Sequence, residues 1–189
     1  MEFPQLEIGE SGEFIFRNLA LPHVYALREL PSVLADDSED VRERLFPNSY
    51  PDDSEKAAEW DRYSRPDLIS LFESRTEIVR SDLESLTPEP VWRGYRLEIP
   101  AAHRNAWMAA LNAARLVLAI RGDVDEDDME RALDFEELDE KELLLLRIHL
   151  LGHLLGLLVE GEDFEFEEWP EEDDGEYGED IDFEPDRPQ

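Results

Sequence analysis

The chain has no cysteine. Disulfides and thiolate metal sites are therefore excluded, and a reducing compartment is the natural setting. Lysine is nearly missing as well: Lys56 and Lys141 stand beside sixteen arginines. Positive charge of any kind is scarce, with 18 basic against 50 acidic residues and a formal net charge of -32 over 189 residues. A surface of that sign repels nucleic-acid backbones and anionic membranes, so neither is expected as a partner. It attracts basic proteins, or it simply keeps a helical domain soluble; a salty habitat or an arginine-biased genome would leave the same composition. Long clean apolar runs are also lacking. The longest, 143–159, is interrupted by Arg147, His149 and His153, whereas a membrane span needs about 20 uninterrupted residues. It reads as a buried helix. The opening Met1, Glu2, Phe3 and Pro4 offer neither the basic nor the apolar region of a secretory signal, so a cytoplasmic protein is expected. No nucleophile elbow, phosphate loop, dinucleotide fingerprint or kinase motif is present. With four histidines and no thiol, nucleophiles and general bases are few.

What is there divides in two. Residues 161–189 hold 15 acids and one base, Arg187, with Phe164, Phe166, Trp169, Tyr177, Ile181 and Phe183 set singly among them. Such a segment buries too little apolar surface to offset its ordering entropy, and it is expected to be a disordered acidic tail, either solubilising or able to dock on a basic, grooved partner. Residues 1–160 carry a net charge of -18 and are long enough for one domain with its own core.

Within that domain Leu6 and Ile8, then Phe14 and Phe16, alternate about Gly9 and Gly12, which predicts a hairpin over about residues 3–17. Leu27, Leu30 and Leu34 predict a helix over 19–35, with a break or kink at Pro31. A helical turn is expected at 41–45. Pro47 and Pro51 forbid a continuous helix there, and Asp52 or Asp53 is placed to cap a helix over 54–63. Ser64 with Asp67, or Pro66, restarts the chain into a long amphipathic helix marked by Leu68, Phe72, Val79, Leu83 and Leu86. Residues 91–99 alternate as a short strand whose pairing the pattern leaves open. Between Pro100 and Gly122, Trp107, Ala110, Leu111, Ala114, Val117 and Leu118 form a wide apolar stripe. Ala106, Ala109 and Ala113 make this helix thin, so it is expected to be central, with Gly122 as a left-handed cap. A short helix is expected near 125–133. Asp139 with Glu142 predicts a capping box before a last helix, 140–159, apolar nearly all round and so buried on most sides. The fold class expected is mainly α: a compact multi-helix domain of five to seven helices with a minor N-terminal β-hairpin.

Candidate sites each have a plain structural counterpart. His149 and His153 lie four apart and could share a zinc ion, but Leu150 stands where a metalloprotease helix has its glutamate, and no thiolate is available as a further ligand. Asp123, Asp125 and Asp127 have the spacing of a calcium loop, yet Asp128 replaces its turn glycine and Asp134 its bidentate glutamate, so a helix cap is the simpler reading. Asn105, Met108, Asn112, Arg115 and Ala119 form a second stripe on the central helix. It reads as a polar network fixing how two helices meet, the alternative being a polar pocket fed by acceptors from 46–62. Gly152 and Gly156 suggest tight helix packing.

Three segments together resemble an uncharacterised actinobacterial family whose genes commonly neighbour that of the adaptor delivering substrates to the Clp protease. The first is Leu45-Phe46-Pro47 with Tyr50-Pro51-Asp52-Asp53, Ala58-Glu59-Trp60 and Arg62. The second is Trp107, Leu111-Asn112, Arg115-Leu116-Val117-Leu118 and Arg121. The third is Leu150-Leu151-Gly152 with Leu158-Val159, where the family has aromatics and a Gln-Glu pair in place of His153, Leu155 and Gly156. The resemblance covers about residues 12–160 and implies no activity, fold or cofactor. Its gene neighbourhood points toward regulated proteolysis. A non-enzymatic accessory or adaptor-like protein that binds another protein is thus expected, without a cofactor. Its working surface is expected around Tyr50, Asp52, Asp53, Arg62, Asn112 and Arg115, as a polar junction between loop and central helix. The alternatives are a metal-dependent hydrolase using His149 and His153, or a charge-driven binder of basic proteins. Oligomeric state is not encoded in any pattern here.

Overall fold

The computed structural model describes residues 3–89, 94–131, 133 and 138–161. The expected acidic tail beyond Gly161 and the start of the 91–99 strand lie outside the described residues.

The domain is mainly helical with one small antiparallel sheet. Strands β1 (Gln5–Ile8) and β2 (Phe14–Leu19) form the expected hairpin, with Leu6 opposite Phe16 and Ile8 opposite Phe14. The strand after residue 90 is β4 (Tyr95–Ile99), and it pairs with β2; the short β3 (Thr87–Pro88) closes the far edge, giving the order β1-β2-β4-β3. Phe14 faces Ile99 and Phe16 faces Leu97, so these four side chains point to one face and enter the core. A bulge between Phe16 and Leu19 places Asn18 in the left-handed region, φ 56°. The Glu89 carboxylate secures it, accepting from Arg17 Nη1 at 2.8 Å and from the Asn18 N–H at 3.3 Å.

Helix α1 (Leu21–Leu34) carries Pro22 in its first turn and runs on through Pro31 instead of breaking there. Proline removes one helical hydrogen bond. Here that loss falls in the last turn, where Leu27, Leu30, Val33 and Leu34 are all buried, and burial of those side chains outweighs it. Helix α2 (Glu39–Leu45) is followed by α3 (Ser54–Glu59), and Asp53 caps α3 through Lys56 N at 3.1 Å. The restart expected at Ser64 does not occur. The chain passes through a π-helical turn, Trp60–Ser64, directly into α4 (Arg65–Asp82), and Ser64 makes no side-chain cap. The Arg65 N–H reaches back five residues to Trp60 O. Widening the helix here accommodates Pro66, which has no N–H and whose ring would strike the preceding turn of a regular helix.

Helix α5 (Arg104–Arg121) is central. It packs against α1, α2, α4 and α7, and its buried side includes Ala106, Ala110, Ala113 and Ala114 as well as Trp107 and Leu111. Small side chains let four neighbours approach one rod. The helix ends at Gly122, but φ there is -93°; the left-handed residue is Asp123, φ 45°. Gly122 matters instead for space, since a Cβ would sit 3.2 Å from Leu144. Helix α6 (Glu126–Glu130) and helix α7 (Glu140–Glu160) both open with a complete capping box, Asp125 with Asp128 and Asp139 with Glu142.

Helix α7 is not buried on most sides. Leu145, Ile148, Leu151, Leu154 and Leu158 form one inward stripe, while Leu143 and Val159 are exposed. Its described neighbours α5, α1 and β1 take up one side and leave an outer face open. By length and composition α7 could cross a bilayer, and a third of its most apolar 18-residue window is buried inside the domain.

Gly94 has φ 97°, and a Cβ there would lie 2.7 Å from the Leu19 carbonyl oxygen; Gly12, φ 81°, has only one atom nearby, at 3.8 Å. Gly94→Ala is therefore expected to destabilise the domain more than Gly12→Ala, because strain is joined by a backbone clash. Urea titration of both variants checks this; equal losses would contradict the clash.

Candidate functional site

The sequence-selected residues do not form one cluster. Around the loop before α3, the Tyr50 N–H donates to Asn48 Oδ1 at 2.8 Å and the Asp53 N–H to Tyr50 O at 3.2 Å. The Tyr50 ring meets Trp60 edge-on at 6.5 Å, with the Lys56 ammonium 5.9 Å from its centroid. Lys56 also pairs with Asp53 at 3.0 Å. The Lys56 backbone N–H, then its side chain, hold the Asp53 carboxyl below its ordinary value. Tyr50 and Asp53 thus share a neighbourhood, ordered by the α3 cap. Asp52 is exposed beside them. Arg62 lies on the π-helical turn with its guanidinium 5.2 Å from the Tyr63 ring.

Asn112 and Arg115 lie elsewhere. Asn112 faces solvent on α5 and needs no buried partner. The Arg115 guanidinium lies over Gly152 of α7, where a Cβ would come within 3.2 Å of its Nε. The glycine notch gives the flat side chain room to lie between α5 and α7, whereas nothing lies within 4 Å of a Cβ at Gly156. Among the described residues no hydrogen bond or ion pair joins Asn112 or Arg115 to the 46–62 segment.

His149 and His153 are both exposed on α7. Among the described residues no group of three or more His, Asp or Glu side chains is arranged to hold a metal ion. His153 instead faces His23 of α1, ring centroids 6.5 Å apart. His23 is buried, and its pKa is lowered first by that burial and then by the charge of His153, with the Ala20 backbone partly opposing. Of the calcium-like aspartates, Asp125 serves as a helix cap, accepting from the Asp128 N–H at 2.9 Å, and Asp128 pairs with Lys141.

The strongest polar constellation in the core was not legible as a site. Asp82, at the end of α4, is only 9% exposed. Its carboxylate accepts from Trp107 Nε1 at 2.8 Å and lies 3.0 Å from His103 Nδ1. With the carboxylate as acceptor, the His103 ring donates from Nδ1. Beside it lies an open cavity of about 630 Å³, lined by Glu13, Ser81, Glu84, Ser85, Glu98 and Asp82 itself among others. The Ser85 hydroxyl is committed to the Glu98 backbone, donating to O at 3.0 Å and accepting from N at 3.2 Å. Among the described residues no hydroxyl is hydrogen-bonded to His103, so the nucleophile-to-base contact of a hydrolytic triad is missing. The arrangement clamps the end of α4 to the start of α5. One signal was available in the sequence: a tryptophan on a buried stripe needs an acceptor for its N–H, and Asp82 lies one helical turn from Val79.

Trp107→Phe removes that donor while keeping most of the volume, and is expected to cost about 1–3 kcal/mol by leaving a buried carboxylate oxygen short of a partner. Urea unfolding measures it, and a loss no larger in wild type than in an Asp82→Asn background would count against the clamp. For His23 the sign follows from its depressed pKa. The unfolded chain takes up the proton first, near the ordinary value of 6.5, so stability is full above that pH and falls as pH drops below it. His23→Leu is expected to flatten the decline between neutral pH and pH about 5, by at most about 1.4 kcal/mol per pH unit. Identical slopes in variant and wild type would refute the assignment.

No curated protein and no solved structure matched this chain. The family model described as Domain of unknown function (DUF2017) matches residues 18–161, from the end of β2 through α7. The chain belongs to that DUF2017 family.

Proposed function

We propose that this protein is a non-enzymatic protein-binding module, an accessory or adaptor-like domain of the cytoplasm, whose working surface is the segment from Tyr50 to Leu71. One observation carries the reading. Neither α3 nor the π-helical turn buries a residue, and α4 buries only Val79 and Asp82 near its far end. The segment therefore stands off from the core, yet it is not polar throughout. Tyr50, Tyr63, Leu68 and Leu71 are exposed along it, Tyr63 at 61% and Leu71 at 46%. Large apolar and aromatic side chains gathered on one exposed element mark interaction surfaces.

The net charge of -32 favours a protein partner over nucleic acid or an anionic membrane. Tyr50, Asp52, Asp53 and Arg62 supply the polar border of this surface. The resemblance to an actinobacterial family whose genes neighbour the Clp adaptor makes regulated proteolysis the setting we favour.

A photo-reactive benzoylphenylalanine placed at Tyr63 tests the reading in the native host. An adduct of discrete mass is expected from position 63 and not from Glu10 in the hairpin turn, and Leu71→Ser is expected to abolish it without shifting the thermal midpoint. Adducts that form equally from both positions would overturn the reading, as would none from position 63.

A further inference from the structure

Beneath the exposed segment, where α4 passes the end of α1 and the start of α2, lies a groove of about 520 Å³. Its floor is apolar: Leu34, Phe46, Ile69 and Phe72. The Phe46 and Phe72 rings meet edge to face at 5.5 Å and give it a firm base. Its rim is acidic, with Asp36 and Asp37 on one side and Glu73 and Glu77 on the other, against Arg42 alone.

These four carboxylates are not equivalent. Asp36 is held as an anion with its pKa down to about 2, first by the Ser38 backbone N–H and then by Arg121 at 2.7 Å. Glu77 is engaged by Arg80. Asp37 and Glu73 make no hydrogen bond or ion pair among the described residues. Two uncommitted carboxylates thus flank an apolar floor of a size that suits one or two large side chains.

We infer that this groove receives a partner segment in which large apolar residues are flanked by arginine or lysine, as on a basic amphipathic helix. The apolar residues occupy the floor, and the cations pair with Asp37 and Glu73. A second copy of this chain is a poor occupant, since it brings 50 acids and few bases, and a nucleic acid would set phosphates against the rim. Ile69 and Phe72 belong to the same helix as Leu68 and Leu71, so the groove is the inner side of the proposed protein-binding surface. The inference rests on that reading and adds the chemistry of the partner.

The test uses the full chain and two short fluorescein-labelled peptides, one of leucine and arginine, the other of leucine and glutamate, read by anisotropy. Binding of the basic peptide only is expected. Reversing both free rim charges, Asp37→Lys with Glu73→Lys, is expected to weaken it roughly tenfold. The same net change made remotely, Glu126→Lys with Glu130→Lys, should shift it less than about twofold. Ile69→Asp is expected to weaken binding that persists at about 0.5 M salt, where long-range attraction is screened. The surface charge reversals keep the test decisive should Ile69→Asp not fold. Equal loss from the two charge reversals would show attraction by net charge alone and overturn the groove, as would failure of the basic peptide to bind. If position 63 still captures its partner in either case, the protein-binding reading survives and only the groove falls.

Discussion

Close approach along α5 is the constraint on which the other elements depend. Ala106, Ala110, Ala113 and Ala114 are buried on it, so α1, α2, α4 and α7 can all reach one helix. A slender helix packs neighbours near enough to interlock their larger side chains, and Leu27, Leu30, Val79, Leu151 and Leu154 complete a single core around it. The sheet adds its inward face, Phe14, Phe16, Leu97 and Ile99, to that same core. Two contacts then fix orientation, one polar and one steric. The Asp82 carboxylate, tied to Trp107 and His103, sets where α4 ends on α5. The Arg115 guanidinium, laid over Gly152, sets how α7 lies along it.

The same arrangement explains why the α3–α4 segment stands off. Helix α4 is held to the core at its far end, by Val79 and the Asp82 clamp. Toward its start neither the π-helical turn nor α3 has a fully buried residue. Their order comes from local contacts: Asp53 capping α3, Asn48 bonding Ala57 O and Asp61, Arg65 pairing with Asp61, and Tyr50 against Trp60. Such an element presents apolar side chains outward without losing its shape, which suits a docking surface. The Phe46 and Phe72 rings meet at the floor of the groove beneath it, between α4 and the junction of α1 and α2.

Much of the architecture was readable from local signals. The hairpin followed from alternation about Gly9 and Gly12, the start of α7 from the Asp139 and Glu142 capping box, and the central role of α5 from its alanine stripe. The misreadings share a cause: each judged a local signal without its neighbours. Pro31 was expected to break or kink α1; it does not break it, because core leucines on both sides hold the helix. Ser64 was expected to cap a fresh start, but the chain runs on through a widened turn, and Pro66 takes the other expected place, in the first turn of α4. Gly122 was expected to take a left-handed conformation, which passes to Asp123 because Gly122 is needed for contact with Leu144. Helix α7 is apolar nearly all round, yet its described neighbours pack on one side only.

The sequence by itself determined the charge, the mainly helical class, most element boundaries and which residues form the core, because these depend on composition and on periodicities of two and 3.6 residues. It also determined that few groups suited to catalysis are present. Only the tertiary structure decided which polar residues meet. It buried Asp82 beneath Trp107 and His103, sent Arg115 to α7, left Asn112 in solvent, and gathered Asp37 and Glu73 around an apolar floor. Those pairings join residues up to dozens of positions apart, and no local period encodes them; they are fixed by how closely the helices approach once alanine and glycine let them.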